Sequence, residues 1–187
     1  MLPAMTQSKH CPKTFNTIIE CIDSVNEFVG KAVSWLTFLL VIFVTIDVIM
    51  RYGFNISFVA LEELHWHLYA LIFLLGAGYT LKQNGHVRVD VIYQRLPRRA
   101  RALINVLGTL FFLFPGCYLV IKTSIPFVKA SWMMHEGSPD PGGLPARYLL
   151  KAVIPISFAF LALQGVSMLL TNICVLFGLD TKRKDEV

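Results

Sequence analysis

Four long apolar blocks constrain this 187-residue chain more than any other feature. The blocks cover residues 32–50, 64–81, 102–121 and 152–179, and the one charged residue inside them is Asp47. A helix rises about 1.5 Å per residue, so about 20 residues cross a hydrocarbon core of about 30 Å. Each block approaches or exceeds that length. The sequence therefore predicts an all-α, polytopic membrane protein with four transmembrane helices.

The composition excludes several classes of protein. Hydrophobic residues make up 55% of the chain and charged residues 16%, too few to cover the surface of a soluble domain. Four spans and their connections leave no room for a globular catalytic domain, so no enzyme activity is expected. The four cysteines show no metal-ligand spacing, and neither a disulfide nor a zinc site is expected. We attribute the net charge of +5 to membrane topology and anionic lipid, and expect no nucleic-acid partner.

Lysines and arginines are distributed unevenly along the chain. Twelve lie before the first span, around the connection between the second and third spans, and in the C-terminal tail, whereas five lie around the other two connections. Basic residues of short loops are retained in the cytoplasm, so both termini are predicted to be cytoplasmic, an N-in/C-in topology. The first apolar block begins at residue 32, after an acidic stretch, and is predicted to be an uncleaved anchor rather than a signal peptide.

These patterns predict a single membrane domain over residues 1–187. Its predicted parts are a cytoplasmic amphipathic segment at 1–30, spans at about 32–50, 64–82, 102–122 and 151–177, a cytoplasmic loop at 83–101, an outer loop at 123–150 and a cytoplasmic tail at 178–187. The run from Gly137 to Pro145 in the outer loop is typical of a turn cluster rather than a helix.

Two short amphipathic helices are predicted on the cytoplasmic surface of the membrane. The first is indicated by residues at helical spacing within 14–30, namely Ile18, Ile22, Val25 and Val29. The second is indicated by Val89, Ile92, Tyr93 and Leu96, and ends before Pro97. Arginines near the second helix are predicted to contact lipid phosphates: Arg95, Arg98, Arg99 and Arg101.

Charged residues gather where the first span ends and the second begins. Asp47 lies one helical turn before Arg51, and Glu62 and Glu63 open the next span. A carboxylate in a membrane is costly unless it is paired, so Asp47 with Arg51, or Arg51 with Glu63, is a candidate ion pair. Such a pair can serve a proton or cation relay, or fix helix register or a subunit contact. The structural role is the favoured interpretation.

The stretch from Glu62 to His67 resembles a metal site in its spacing, because Glu62 to His65 is three residues and Glu63 to His67 is four. Histidines two residues apart, however, point about 200° away from each other on a helix. With Trp66 adjacent, an interfacial belt of amphipathic side chains is favoured over a metal site.

Small and polar residues inside the spans indicate close helix association. Gly76 and Gly78 in the second span permit close approach, and Gln164 is a lone amide deep in the fourth span. Pro115 is expected to bend the third span, which is favoured over a broken-helix ion site.

A haem-bearing membrane anchor is the alternative class, since four spans with several histidines fit it too. His65 and His86 lie at opposite ends of the second span, about 31 Å apart along a helix. Only a pairing of His65 or His67 with His135 stays open for two axial ligands.

Several segments, taken in order, resemble the small membrane subunit of tripartite ATP-independent periplasmic (TRAP) transporters, the DctQ type. They cover about residues 30–178: Arg51-Tyr52-Gly53-Phe54, Glu62-Glu63, Gly76-Ala77-Gly78, Gly85-His86-Val87-Arg88-Val89-Asp90, Gly142-Gly143-Leu144-Pro145, Lys151, Ile154-Pro155 and Gln164-Gly165. The resemblance implies a place in the inner membrane of a bacterium or archaeon, where the outer loop is periplasmic. It also implies a transporter in which a binding protein delivers an organic anion, of the carboxylate class, to a large subunit that moves it with sodium.

In such a transporter this chain would brace the large subunit and help to dock the binding protein. The implied partners are the large subunit, the binding protein and phospholipid, with no cofactor in this chain and sodium in the large subunit. Subunit-interface candidates are Asp47, Arg51, Glu62, Glu63, Gly76, Gly78, His86, Arg88, Asp90 and Gln164, and docking candidates are Glu136, Asp140 and Arg147. The alternative is a haem- or quinone-associated anchor of a respiratory complex.

Overall fold

A computed structural model describes residues 11–83 and 95–179, which are helical over most of their length. The helices are α1 (Lys13–Gly53), α2 (Val59–Lys82), α3 (Arg98–Gly108), α4 (Phe114–Met133) and α5 (Arg147–Leu176). A π-helical turn, Thr109–Leu113, joins α3 to α4, so that Arg98–Met133 forms one helical unit. Four units of the described chain are long and apolar enough to cross a membrane, which confirms the predicted fold class. The N-in/C-in topology stays a prediction.

Helix α1 is one uninterrupted rod of 41 residues. At about 1.5 Å per residue it is about 60 Å long, roughly twice the thickness of a hydrocarbon core. The predicted surface helix at its beginning and the predicted first span are therefore parts of the same helix. No proline interrupts the sequence between them, and Gly30 at the join is buried against α2.

The inner face of α1 follows a seven-residue repeat. The residues of α1 that are buried or half-buried at alternating spacings of three and four are Ile19, Ile22, Asn26, Val29, Val33, Leu36, Leu40, Phe43, Asp47 and Met50. A spacing of 3.5 residues on average keeps one stripe of a helix against its neighbour, as in a coiled coil. We call this stripe the α1 seam; it packs on α2 and α5.

Helix α5 is the centre of the bundle, since it packs against each of the other four helices. Its buried residues are mostly small or polar, including Ser157, Gln164, Gly165 and Ser167. Small side chains let helix backbones approach closely in a membrane, where apolar burial gives little driving force between helices. The composition of α5 thus suits a helix surrounded by protein rather than by lipid.

The third span accommodates Pro115 through the π-helical turn that precedes it. Proline has no backbone N–H, and in a regular α-helix its ring clashes with the carbonyl four residues earlier. A π turn widens the hydrogen-bonding register by one residue and is one of the recognised irregularities within α-helices. The helix type thus changes locally before Pro115, and the bend itself stays a prediction.

The expectation that the cysteines form no disulfide is contradicted. Cys11 and Cys174 are paired as a disulfide, although 163 residues separate them in sequence. The pairing arises because the beginning of α1 and the end of α5 lie at the same end of the bundle, which local spacing does not reveal. Cys21 and Cys117 are free.

Some predictions fall outside the described residues. These are the second surface helix, apart from Leu96, and the site candidates His86, Arg88 and Asp90.

Candidate functional sites at the two ends of the bundle

The bundle has two ends, which we name from the predicted topology. The outer end carries the short connection between α1 and α2 and the longer connection at 134–146 between α4 and α5. The inner end contains the first residues of α1 and α3 and the last residues of α2 and α5. Polar side chains gather at both ends and in the inner half of the bundle.

Glu63 anchors the outer connection to α2. Its carboxylate accepts hydrogen bonds from the Ser138 hydroxyl and, at 2.7 Å, from the Leu144 backbone N–H, while the Arg147 guanidinium lies 3.3 Å away. The side chain is only 7% exposed. Glu63, a predicted subunit-interface residue, is turned toward its own chain because the connection supplies three donors. Its contact with another subunit stays a prediction.

The connection is an ordered loop, in agreement with the predicted turn cluster. Ser138 N–H donates to the Leu144 carbonyl at 3.1 Å, and Gly142 has a φ of 83°, which favours glycine. A Cβ at Gly143 would overlap Ser138 and the Glu63 carboxylate, so glycine is required for the loop to approach α2 this closely.

Glu136 holds the other side of this loop. Its carboxylate accepts a hydrogen bond from Ser131 Oγ at 2.6 Å and from the Lys151 ammonium. Lys151 and then Ser131 hold the pKa of Glu136 below its usual range, because both donors favour the charged carboxylate. The docking candidates Glu136 and Arg147 are thus bonded within the chain, whereas Asp140 is exposed. Docking of a binding protein stays a prediction.

These residues border a cavity of about 180 Å³ between α2 and α5. Its lining combines two acidic and two basic side chains with aromatic and apolar ones: Glu63, Glu136, Arg147, Lys151, Trp66, His67 and Leu150. The ring Nδ1 of His67 lies 2.6 Å from the Glu63 carbonyl oxygen of its own helix. Within residues 11–83 and 95–179, no three His, Cys, Asp or Glu side chains come together as a metal-binding group.

Asp47, Arg51 and Glu62 form a second charged group at the outer end, which we call the outer triad. The Arg51 guanidinium lies 3.1 Å from Asp47 and 3.9 Å from Glu62. The predicted Asp47–Arg51 pair is therefore present, but the second acid near Arg51 is Glu62 and not Glu63. The Asp47 side chain is 9% exposed, and its Oδ1 has no hydrogen-bond partner among the described residues, whereas Arg51 is 41% exposed.

A polar cluster in the inner half of the bundle was missed by the sequence analysis. The Asp23 carboxylate accepts hydrogen bonds from Gln164 Nε2 and Ser167 Oγ, both at 2.8 Å. Lys82 at the end of α2 bonds to Glu27 at 2.8 Å and to the Asp23 carbonyl at 3.2 Å. Gln164 was predicted to be a lone amide, but it is fully buried inside the chain and bonded to an acid of α1. Its predicted place at a subunit interface stays a prediction.

The close approach predicted for the α2 glycines occurs within the chain. A Cβ at Gly78 would overlap the Asn26 side chain of α1, and one at Gly76 would lie 3.7 Å from Val33. Gly78 is buried and packs on α1 within the chain, and its contact with another subunit stays a prediction. The sequence does contain a signal for this contact. One face of α1 carries Asp23, Asn26, Glu27 and Gly30, a pattern that fits a stripe facing other helices as well as one facing solvent.

The predicted lipid-binding arginines surround the beginning of α3 at the inner end. Arg95, Arg98 and Arg99 are exposed, and Arg101 is half-buried. Arg98 and Arg99 border a cavity of about 220 Å³ together with residues that follow α5. Lipid contact stays a prediction for all four.

The arrangement defines a multi-pass helical membrane protein whose polar groups tie its own helices together. The family model described as "Tripartite ATP-independent periplasmic transporters, DctQ component" matches residues 40–175, which include the last third of α1, the whole of α2, α3 and α4, and α5 up to its penultimate residue. The chain therefore belongs to the DctQ family of TRAP transporter subunits.

Two curated proteins are similar to this chain. A protein of Haemophilus influenzae named as a TRAP transporter small permease protein is 32% identical over 105 residues, which are 54% of this chain and 65% of that protein. A protein of Vibrio cholerae named as a C4-dicarboxylate TRAP transporter small permease protein, DctQ, is 26% identical over 173 residues, 80% of this chain and 72% of that protein.

Proposed function

We propose that this chain is the small accessory subunit of a sodium-coupled TRAP transporter, which imports an organic anion of the carboxylate class delivered by a periplasmic binding protein. In this proposal the chain lies in a bacterial inner membrane, braces the large permease subunit and helps to dock the binding protein. Membership of the DctQ family supports the accessory role. The name of the Vibrio cholerae relative, which mentions C4-dicarboxylate, supports the substrate class.

The observation that carries the bracing role is that polar side chains link the helices to one another. Asp23 of α1 bonds to Gln164 of α5, and Lys82 of α2 bonds to Glu27 of α1. Further links join Asn105 to Asn172 at 3.1 Å and Glu63 to Arg147. Each interhelical hydrogen bond in lipid contributes about 0.6–2 kcal/mol. Several such links give a rigid bundle, which suits a part that supports a moving partner.

We place the contact with the large subunit at the outer triad. Its three charges sum to −1, and Arg51 and Glu62 expose 41% and 52% of their side chains at the end of an apolar helix. Charges in that position are costly unless they pair with a partner. A hydrogen-bond acceptor of the large subunit would bond to the exposed guanidinium of Arg51, and the exposed apolar side chains of α1 nearest to the triad, such as Val44 and Val48, would pack beside it.

Replacing Arg51 tests this contact. With a tagged small subunit, Arg51→Ala is expected to lower recovery of the large subunit, because the association constant should fall about 3- to 30-fold for a loss of about 0.6–2 kcal/mol. The matched control is Lys122→Ala, an exposed cation on α4 whose Nζ lies over Tyr118 of the same helix. Equal recovery of the two variants would contradict the placement at the outer triad.

The same complexes test the bracing role itself. Transport by reconstituted complex, normalised to the amount assembled, should be the same for Arg51→Ala as for the unsubstituted protein, with the same sodium dependence. A several-fold change in sodium dependence at full assembly would put Arg51 in the translocation path and contradict the bracing role. Membership of the DctQ family gives no support to the haem or quinone anchor.

A further inference from the structure

The cavity at the inner end has a defined wall, built from the end of α5. After Leu176 the chain turns back, with Gly178 N–H bonded to the Val175 carbonyl at 3.1 Å and Leu179 N–H to the Cys174 carbonyl at 2.9 Å. Gly178 has a φ of 69°, as in the glycine-terminated ends of many helices. The cavity of about 220 Å³ lies between this turn and the first residues of α3.

Among the described residues, the charges bordering the cavity are all positive. Arg98 and Arg99 line it, and neither forms an ion pair with any residue in the described ranges. They lie in the first turn of α3, which contains no acidic residue and has no side-chain cap. Two cations at the positive end of a helix dipole are unfavourable unless an anion lies beside them. The cavity therefore has the electrostatic character of an anion site.

The remaining lining contributed by residues 11–83 and 95–179 is apolar, which distinguishes the site from one for a free ion. Val175 and Leu179 form the other walls. On neighbouring surface, Phe177 is 77% exposed and Leu103 is 48% exposed. Both follow or belong to helices long and apolar enough to cross a membrane, so these side chains lie where acyl chains would reach them. An occupant that joins a phosphate to hydrocarbon fits both kinds of surface.

We propose that this cavity binds the headgroup phosphate of one anionic phospholipid, with the Arg98 and Arg99 guanidinium groups as donors. Guanidinium groups bind phosphate oxygens through paired, charge-assisted hydrogen bonds. The acyl chains would then lie against Leu103 and Phe177. The bound lipid would bridge the beginning of α3 and the end of α5. Its binding does not depend on the transport role proposed above.

Native mass spectrometry of the purified full chain in detergent tests the proposal. The probes are dioleoylphosphatidylglycerol and dioleoylphosphatidylcholine, titrated separately, and inorganic phosphate, added to the chain with lipid bound. We expect one phosphatidylglycerol to bind more tightly than phosphatidylcholine. Since a basic residue at a membrane surface is worth about 1 kcal/mol toward anionic lipid, Arg98→Gln with Arg99→Gln should weaken that binding about 30-fold.

Two further variants keep the test decisive. Leu179→Glu adds a negative charge to the cavity wall without removing an arginine, and should also weaken phosphatidylglycerol binding. The matched control, Lys122→Gln with Lys129→Gln, removes two exposed cations of α4 and should leave it unchanged. Three results would overturn the proposal: equal binding of both lipids, equal loss in the control, or inorganic phosphate displacing the lipid at equal concentration.

Discussion

Single carboxylates hold separate helices together in this protein. Asp23 accepts two hydrogen bonds from α5, and Glu63 accepts bonds from a loop hydroxyl, a backbone N–H and a guanidinium. A hydrogen bond to a charged acceptor contributes about 1.5–3 kcal/mol, more than one between neutral groups. Where the carboxylate is accessible to water, its protonation should therefore loosen the structure that it holds.

Glu136 permits a direct test of this at the outer loop. Because Lys151 and Ser131 lower its pKa, the carboxylate stabilises the loop at pH values above the usual pKa of glutamate, about 4.3. That contribution is lost as the pH falls through the lowered pKa of the folded state. Trp132 packs on Tyr148 at 4.7 Å beside the loop, so its fluorescence should report the change. The measurement uses a chain in which Trp35 and Trp66 are replaced by phenylalanine.

Two variants identify the titrating group. Lys151→Met should move the fluorescence transition to higher pH, since it removes the main cause of the lowered pKa. Asp140→Asn, a change of an exposed acid in the same loop, should leave the transition in place. If Lys151→Met leaves the midpoint unchanged, Glu136 is not the group responsible.

Local pairs could be predicted from the sequence, and distant partners could not. Asp47 and Arg51 are four residues apart on one helix, so their pairing follows from helix geometry alone. Gln164 and Asp23 are separated by 141 residues, and their contact depends on how α1 packs on α5. The same holds for Glu63, whose burial depends on a loop that begins about seventy residues later.

Among the elements, α1 and α2 approach each other at positions where only glycine fits. Gly78→Ala should destabilise the chain by about 1–3 kcal/mol, because the added methyl group overlaps Asn26. Gly116→Ala is the matched control, since a Cβ there meets nothing within 4 Å and alanine favours helix. Denaturant unfolding in micelles, followed by circular dichroism, compares the two. Equal stability of both variants would mean that the α1–α2 contact is looser than described.

The number of spans was predictable because apolar length alone indicates membrane crossing. The extent of α1 was not predictable in the same way. Its first half carries Glu20, Asp23 and Glu27, a pattern typical of a surface helix, yet the α1 seam runs through this half without a break. Charged residues that bond to neighbouring helices resemble solvent-facing ones in sequence, and only packing distinguishes them.

For the whole molecule, the uneven distribution of basic residues predicts the topology. Labelling of intact cells with a membrane-impermeant maleimide should modify Asp140→Cys and spare Arg95→Cys and Lys184→Cys. Cys21 is exposed and is replaced by serine, whereas Cys11, Cys117 and Cys174 are buried. Permeabilised cells provide the control, because all three introduced positions should then react. Labelling of positions 95 and 184 in intact cells would reverse the orientation.

The α1 seam also fixes the height of α1 in the membrane. Its polar position Asn26 lies against Gly78 of α2, and the nearby Asp23 bonds to Gln164 of α5. A slide of α1 by one turn, about 5.4 Å, would remove Asn26 from Gly78 and separate Asp23 from Gln164. These contacts therefore oppose a piston motion of α1 and favour displacement of its helices as one unit within a larger assembly.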